Sequence, residues 1–297
     1  MLEFKRATKE QSRLRMAIDG PAGSGKTFTA LRFGFALQAR VGGKVALIDT
    51  EHASASKYAD QFPEFDTLVL DSFSPETYME GIKAAERAGY TILIIDSLSH
   101  AWDGVEGALE QVDRAALKGG NSYTAWRDVT PLHRRMVETI LQSDCHIIAT
   151  MRSKMEYVLQ EETNSKGRTV MVPKKIGLAP IQRQGMEYEF DVMADMDVDH
   201  RMIVSKSRIT AVDGAVVVKP KGEWLEPVID WLTSGAKHVE PAKWQDDPAE
   251  IAKFWGWVDD SGRDHKECLD ALVVDRLEQF DGTQKEAAEI IVKGVKK

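Results

Sequence analysis

The chain has 297 residues, of which 43% are hydrophobic; its formal net charge is −8 and it has two cysteines, Cys145 and Cys268. That length can bury one α/β domain and a smaller appendage, while no apolar run approaches a membrane span. Two cysteines far apart and without ligand spacing argue against a disulfide framework and a zinc site. The opening Met-Leu-Glu-Phe-Lys-Arg lacks the apolar core of a signal peptide, so a reduced cytoplasm is the expected compartment.

Residues 1–12 read as a polar leader. Arg15-Met-Ala-Ile-Asp19 is a short apolar run, expected as the first core strand. Gly20-Pro21-Ala22-Gly23-Ser24-Gly25-Lys26-Thr27 fits G-x-x-x-x-G-K-[ST], the phosphate-binding loop between a buried strand and a helix. Its glycines let backbone N–H groups turn toward a polyphosphate at a helix N-terminus. Lys26 is expected to reach the β and γ phosphates, and Thr27 to place its hydroxyl on Mg²⁺. The spacing of Ala30, Leu31, Phe33, Phe35 and Leu37 predicts a helix over 28–38. The motif therefore predicts binding of a nucleoside triphosphate.

Lys44-Val-Ala-Leu-Ile-Asp49 is a second strand, running into Thr50, Glu51 and His52. A carboxylate at Glu51 can face the γ phosphate and accept a proton from the attacking water. Helical periodicity covers 75–88. Thr91-Ile-Leu-Ile-Ile-Asp96 reads as a central parallel strand whose terminal Asp96 emerges beside the phosphate loop to hold Mg²⁺. Lys118-Gly-Gly-Asn-Ser122 breaks the pattern. After it come Tyr123, Trp126 and Arg127, at the head of a helix over 123–142; Trp126 either stacks on nucleic-acid bases or packs in the core. His146 to Thr150 is again strand-like, and Glu161 to Arg168 is polar enough to predict a mobile loop.

Charge is unevenly spread. Residues 152–183 carry seven bases (Arg152, Lys154, Lys166, Arg168, Lys174, Lys175, Arg183) against three acids, a net +4, and residues 1–15 carry five bases against two acids, a net +3. Such local stretches can displace counterions from a phosphate backbone whatever the total charge; a solvated face is the alternative reading. Residues 184–199 hold six acids with no Lys or Arg, and 240–297 hold fourteen acids and nine bases, a net −5.

Four segments taken together resemble RecA recombinases over about residues 13–232. Leu47-Ile-Asp-Thr-Glu51-His52-Ala53 through Tyr58-Ala59 is similar to that family's I-D-A-E-H-A-L-D-P-x-Y-A, which implies that Glu51 is the catalytic base and that Tyr58 stacks on adenine. The family's adenine-binding Asp falls at Ala55. Ile95-Asp96-Ser97 resembles V-D-S. His146 to Lys154 resembles the strand entering the second DNA-binding loop, with Arg152 and Lys154 matching and Thr150 in place of a γ-phosphate-sensing Gln. Ile203-Val-Ser-Lys206-Ser-Arg208 is similar to a segment whose basic residues act on a neighbouring protomer's phosphates. The short form looks most like phage-encoded RecA-type ATPases proposed to anneal single strands.

The resemblance implies an α/β fold: a RecA-like P-loop NTPase core with a mainly parallel sheet over 13–235. Residues 236–243 read as a linker, and 244–297 as a small helical module with an N-cap signal at Asp281-Gly-Thr283 and an aromatic set expected mainly as core. It further implies ATP and Mg²⁺ as ligands, and hydrolysis stimulated by single-stranded DNA during annealing or strand exchange. The DNA contacts are expected at Arg152, Lys154, Lys166, Arg168, Lys174, Lys175 and Arg127. Phe4-Lys-Arg-Ala7 has the F-x-x-A spacing of a recombinase polymerisation motif, which implies a filament or ring of copies in the host cytoplasm. A single-strand-binding protein is a further partner for residues 244–297. The rival readings are a P-loop motor or regulatory switch acting on protein partners, and a small-molecule kinase.

Overall fold

Residues 4, 6–117, 121–163, 169–236, 244–274, 276–280 and 282–295 are described by a computed structural model. The apolar run ahead of the phosphate loop forms strand β1 (Arg15–Gly20), buried at all six positions. A strand buried on both sides alternates its side chains between two cores. Met16 and Ile18 enter one, with Leu31, Phe33 and Ile229; Ala17 enters the other, with Ile48, Tyr78, Leu93 and Met136.

The remaining strands are β2 (Val45–Asp49), β3 (Asp66–Val69), β4 (Ile92–Asp96), β5 (His146–Thr163), β6 (Thr169–Pro180), β7 (Val192–Met196), β8 (Arg201–Ser207) and β9 (Val216–Val218). The sheet order is β3-β2-β4-β5-β1-β7-β8-β9. Strands β3, β2, β4, β5, β1 and β7 run parallel, and β8 and β9 add antiparallel at one edge. Helices α1 (Lys26–Val41), α2 (Pro75–Arg87), α3 (His100–Asp103), α4 (Ala108–Leu117), α5 (Ser122–Gln142) and α6 (Glu226–Thr233) complete this unit. Helices α1 and α6 cover the first core and α2 and α5 the second, which is the α/β core with a mainly parallel sheet expected above. One strand, β5, separates the loop-bearing β1 from the Asp96-bearing β4, so both carboxyl ends open onto one edge.

Three local results differ from the sequence reading. Glu161–Thr163 belong to β5, which runs eleven residues past the sheet as an antiparallel ribbon with β6; 164–168, with Lys166 and Arg168, lie outside the described residues. A two-stranded ribbon pairs its own backbone, so polar side chains do not forbid it. Second, residues 9–12 are tied to α6 rather than free: Gln11 N–H donates to Ala236 O (2.8 Å), Ser12 N–H to Leu232 O (3.1 Å), and the Lys9 ammonium sits 4.7 Å from the Trp231 ring centroid. Third, Arg15 adds nothing to a basic surface. It is 5% exposed and donates to the carbonyls of Leu14, Leu141, Ser143 and Cys145, closing the end of α5 onto β1. Burial pulls its guanidinium down to about 10.

The chain divides into two units, Met1–Ala236 and Lys237–Lys297, with the expected linker residues 237–243 outside the described residues. The second unit has its own core: helices α7 (Pro248–Asp260), α8 (His265–Leu272) and α9 (Gln284–Gly294) enclose Phe254, Val258, Cys268, Leu272, Ala287 and Ile291. Trp244, Trp255 and Trp257 pack against it. Thr283 caps α9 through a reciprocal pair with Glu286. Among the described residues no helix is long and apolar enough to cross a membrane.

Candidate nucleotide site

The phosphate loop leaves β1 at Gly20, whose φ of 155° and close approach to β7 both require glycine: a Cβ there would lie 2.5 Å from Met196 O. Gly25, at φ 92°, precedes α1 and offers no side-chain cap, and the first turn holds no acid. The first N–H groups of α1 are thus left for an anion. Ser24 is fully buried and its Oγ has no protein partner, an orphan donor inside the loop. Lys26 Nζ donates to Gly20 O (2.8 Å) and Pro21 O (2.9 Å). Burial lowers its ammonium from the ordinary lysine value, against the attraction of Asp96, Glu51 and Asp19.

Beside the loop, Asp96 is 2% exposed and receives the hydroxyls of Thr27 (2.7 Å) and Thr150. Burial raises its carboxyl above the usual range, and the two threonines pull the other way. Thr150, which stands where the resembled family has a Gln, thus donates to the Asp96 carboxylate. A hydroxyl and a carboxylate converging at the phosphate end are the oxygen ligands a hard divalent cation takes, so Thr27 and Asp96 fit Mg²⁺.

Glu51 follows β2 at the same edge. Asp49 orders its turn by accepting from the N–H groups of Glu51 (2.7 Å) and Ala55 (3.2 Å). The Glu51 carboxylate is held side-on by Arg152, whose Nε donates to Oε1 (2.8 Å) and whose Nη2 donates to Oε2 (2.6 Å). Burial pushes this carboxyl up, but the hydrogen bond and charge of Arg152, with help from His100 and Ser97, leave it below the usual value. Behind it, Thr50 Oγ1 lies 2.7 Å from His100 Nδ1 and accepts from Ser97 N–H (2.8 Å), and Tyr78 donates to Ser97 O (2.7 Å).

A cavity of about 440 Å³ continues from Lys26 and Thr27 along α1. It is lined by Phe28, Arg32, Tyr58, Met196, His200, Lys219 and Pro220. Phe28 and Tyr58 meet edge to face with centroids 5.5 Å apart, and the Arg32 guanidinium lies 4.5 Å from the Phe28 centroid. Two aromatic faces, two cations and an adjoining phosphate cradle make a seat for a base and ribose. Of these only Tyr58 was anticipated from sequence. Arg32 stands five residues past Thr27 on α1 and could have been found by helical spacing. Met196 ends β7, and His200, Lys219 and Pro220 come from the β7–β8 and post-β9 turns, about 170–195 residues downstream of Lys26, where His200 and Lys219 adopt φ of 60° and 50°. His200 Nδ1 sits 3.0 Å from Ser24 O, joining that turn to the loop.

Asp19, read only as a strand end, is buried beneath the loop. It stands opposite Asp195 in β1–β7 register, accepts from Ser153 (2.9 Å) at Oδ2, and leaves Oδ1 without a partner among the described residues. Burial, and then the second carboxyl, push it up to about 8.

The remaining sequence candidates lie elsewhere. Lys154 is exposed at the root of the ribbon, and Lys174 and Lys175 pair with Val158 and Tyr157, their side chains lying outside the described part. Arg127 is exposed on α5, whereas Trp126 stacks on Trp102 (5.5 Å) in a small cluster between α4 and α5 and so takes the packing role. Lys206 donates to Tyr188 O and Phe190 O; Arg208 lies 3.8 Å from Asp191. Those partners stand level with Arg15, at the amino edge of β1, so neither side chain faces the phosphate loop. Phe4 and Ala7 are exposed.

Comparison with curated proteins found no match. Among solved structures, a KaiC-like protein from the hyperthermophilic archaeon Pyrococcus horikoshii OT3 is 13% identical with a TM-score of 0.38, over 68% of this chain and 82% of that one. Residues 12–220, which contain the loop, Glu51, Asp96, Arg152 and every residue of the cavity, match the family described as AAA domain. The chain belongs to that family and is a P-loop ATPase.

Proposed function

We propose that the protein hydrolyses ATP with Mg²⁺ in the cytoplasm and does so in association with single-stranded DNA, in annealing or strand exchange. The observation that carries this reading is the course of β5. The strand leaves the nucleotide edge at Arg152 and becomes one arm of the β5–β6 ribbon, in a stretch of net charge +4. A basic ribbon rooted at the catalytic edge is a direct route between a phosphate backbone and hydrolysis.

In this reading Lys26 and the N-terminus of α1 bind the β and γ phosphates, while Thr27 and Asp96 hold the cation. Bound Mg²⁺ supplies charge neutralisation on the transferred phosphoryl group. Glu51 orients water and accepts its proton as the oxygen bonds to the γ phosphorus and the ADP oxygen leaves. Lys206 and Arg208 serve the site of a neighbouring copy, which Phe4 and Ala7 help to dock. Hydrolysis measured with and without saturating single-stranded DNA tests the reading. A clear stimulation is expected; a rate indifferent to the strand refutes it. The net −5 of residues 240–297 favours the alternative of a motor or switch acting on basic protein partners, and in that case a protein ligand, not DNA, raises the rate.

A further inference from the structure

We infer that Arg152 restrains Glu51, and that a nucleic-acid phosphate bound at the root of the β5–β6 ribbon releases it. The inference rests on the single-strand reading above for the source of the phosphate, and on the geometry for the restraint. Both Glu51 oxygens are engaged side-on by one guanidinium. A carboxylate so held is neutralised and is a poor proton acceptor, whereas hydrolysis needs that carboxylate turned to water.

The pair is poorly explained as a stabilising contact. Its side chains are 45% and 25% exposed, and exposed ion pairs contribute about 0–1 kcal/mol. The same exposure makes exchange easy. Around it the backbone is fixed: Arg152 N–H donates to Ser99 Oγ (2.9 Å), and Arg152 O accepts from Ile181 N–H (2.6 Å), where β6 returns to the sheet. Release is then a side-chain rotation at a rigid root. A phosphodiester accepts the same planar fork that a carboxylate does, so a strand lying on Lys154 competes for Arg152 directly. Lys26 and His100 are further charged or titratable groups that interact with Glu51.

Arg152 is thus a positioning residue, and its test is ATP hydrolysis by the full chain with and without oligothymidylate, across pH. For Arg152→Gln the DNA-free rate is expected to rise about two- to fivefold, the kinetic equivalent of losing up to about 1 kcal/mol of such a pair. Oligothymidylate then adds little, and the acid limb of the rate–pH profile moves to higher pH because the charge that lowered Glu51 is gone. Arg152→Lys, which keeps the charge but loses the fork, falls between. An unchanged or lower DNA-free rate with an unmoved acid limb in both variants overturns the restraint. Undiminished stimulation of Arg152→Gln overturns the release. If DNA fails to stimulate even the unaltered protein while Arg152→Gln accelerates, the restraint stands and the single-strand reading falls.

Discussion

Two neighbouring strands of this protein present hydrogen-bond donors at one sheet edge in opposite ways. At the end of β1 the recognition is backbone: glycines at positive φ, free N–H groups of α1 and a buried serine set a cradle whose shape is fixed before any ligand arrives. At the root of the ribbon on β5, the donors are long cationic side chains, Arg152 and Lys154, where the strand leaves the sheet. The first arrangement binds one ligand in one pose. The second is carried by exposed side chains, and Arg152 holds the Glu51 carboxylate.

The largest effect expected from breaking this contrast is catalytic. Glu51→Gln should retain ATP binding and lower turnover about 10²–10⁴-fold, as removal of a general base does, whereas Lys26→Ala should weaken binding and turnover together. Equilibrium binding beside single-turnover hydrolysis separates the two. Lys154→Ala, Lys174→Ala and Lys175→Ala combined should flatten the salt dependence of single-strand binding by about 2 in log–log slope, roughly 0.7 per lost phosphate contact. ATP affinity should be untouched, and an unchanged slope would place the strand elsewhere.

Smaller effects test the rigidity of the cradle. Gly20→Ala should cost about 1–3 kcal/mol, because it adds backbone strain to a 2.5 Å collision with Met196 O. Gly23→Ala meets nothing within 4 Å and should cost only the positive-φ penalty, about 1–2 kcal/mol. Thermal unfolding ranks them. The smallest shift concerns Asp19, whose folded carboxyl is pushed up to about 8. Its favourable proton is kept at low pH, and that stability is lost as pH rises from the ordinary carboxyl range through about 8. Asp19→Asn removes the titration, so its melting temperature relative to wild type should climb between pH 5 and pH 9. A flat difference would show that burial does not push the Asp19 carboxyl up.

Legibility from sequence followed the same contrast. The phosphate loop was readable residue by residue because a backbone cradle demands particular residues at consecutive positions, and Asp96 and Glu51 because buried strands announce their ends by an apolar run. The base and ribose seat was not. Arg32 had a helical register to betray it, but His200, Lys219 and Pro220 reach the cavity through two turns whose positions depend on antiparallel pairing at the far edge of the sheet. Arg152 was legible as a basic residue and not as the partner of Glu51, since about a hundred residues separate them and only the parallel packing of β2, β4 and β5 closes the gap. Arg15 misled for a related reason: a charge count cannot see a guanidinium turned inward onto carbonyls.

Both ladder neighbours of β1, β5 and β7, lie downstream of residue 145. A nascent chain emerging at about 5–20 residues per second holds this strand without a partner for roughly 6–25 s before His146 is even made. The segment that binds the nucleotide is the first part of the core to be synthesised and among the last to find its place. Long-range parallel pairing of this kind slows folding, and during that interval Met16, Ala17 and Ile18 are exposed apolar sequence for a chaperone to hold.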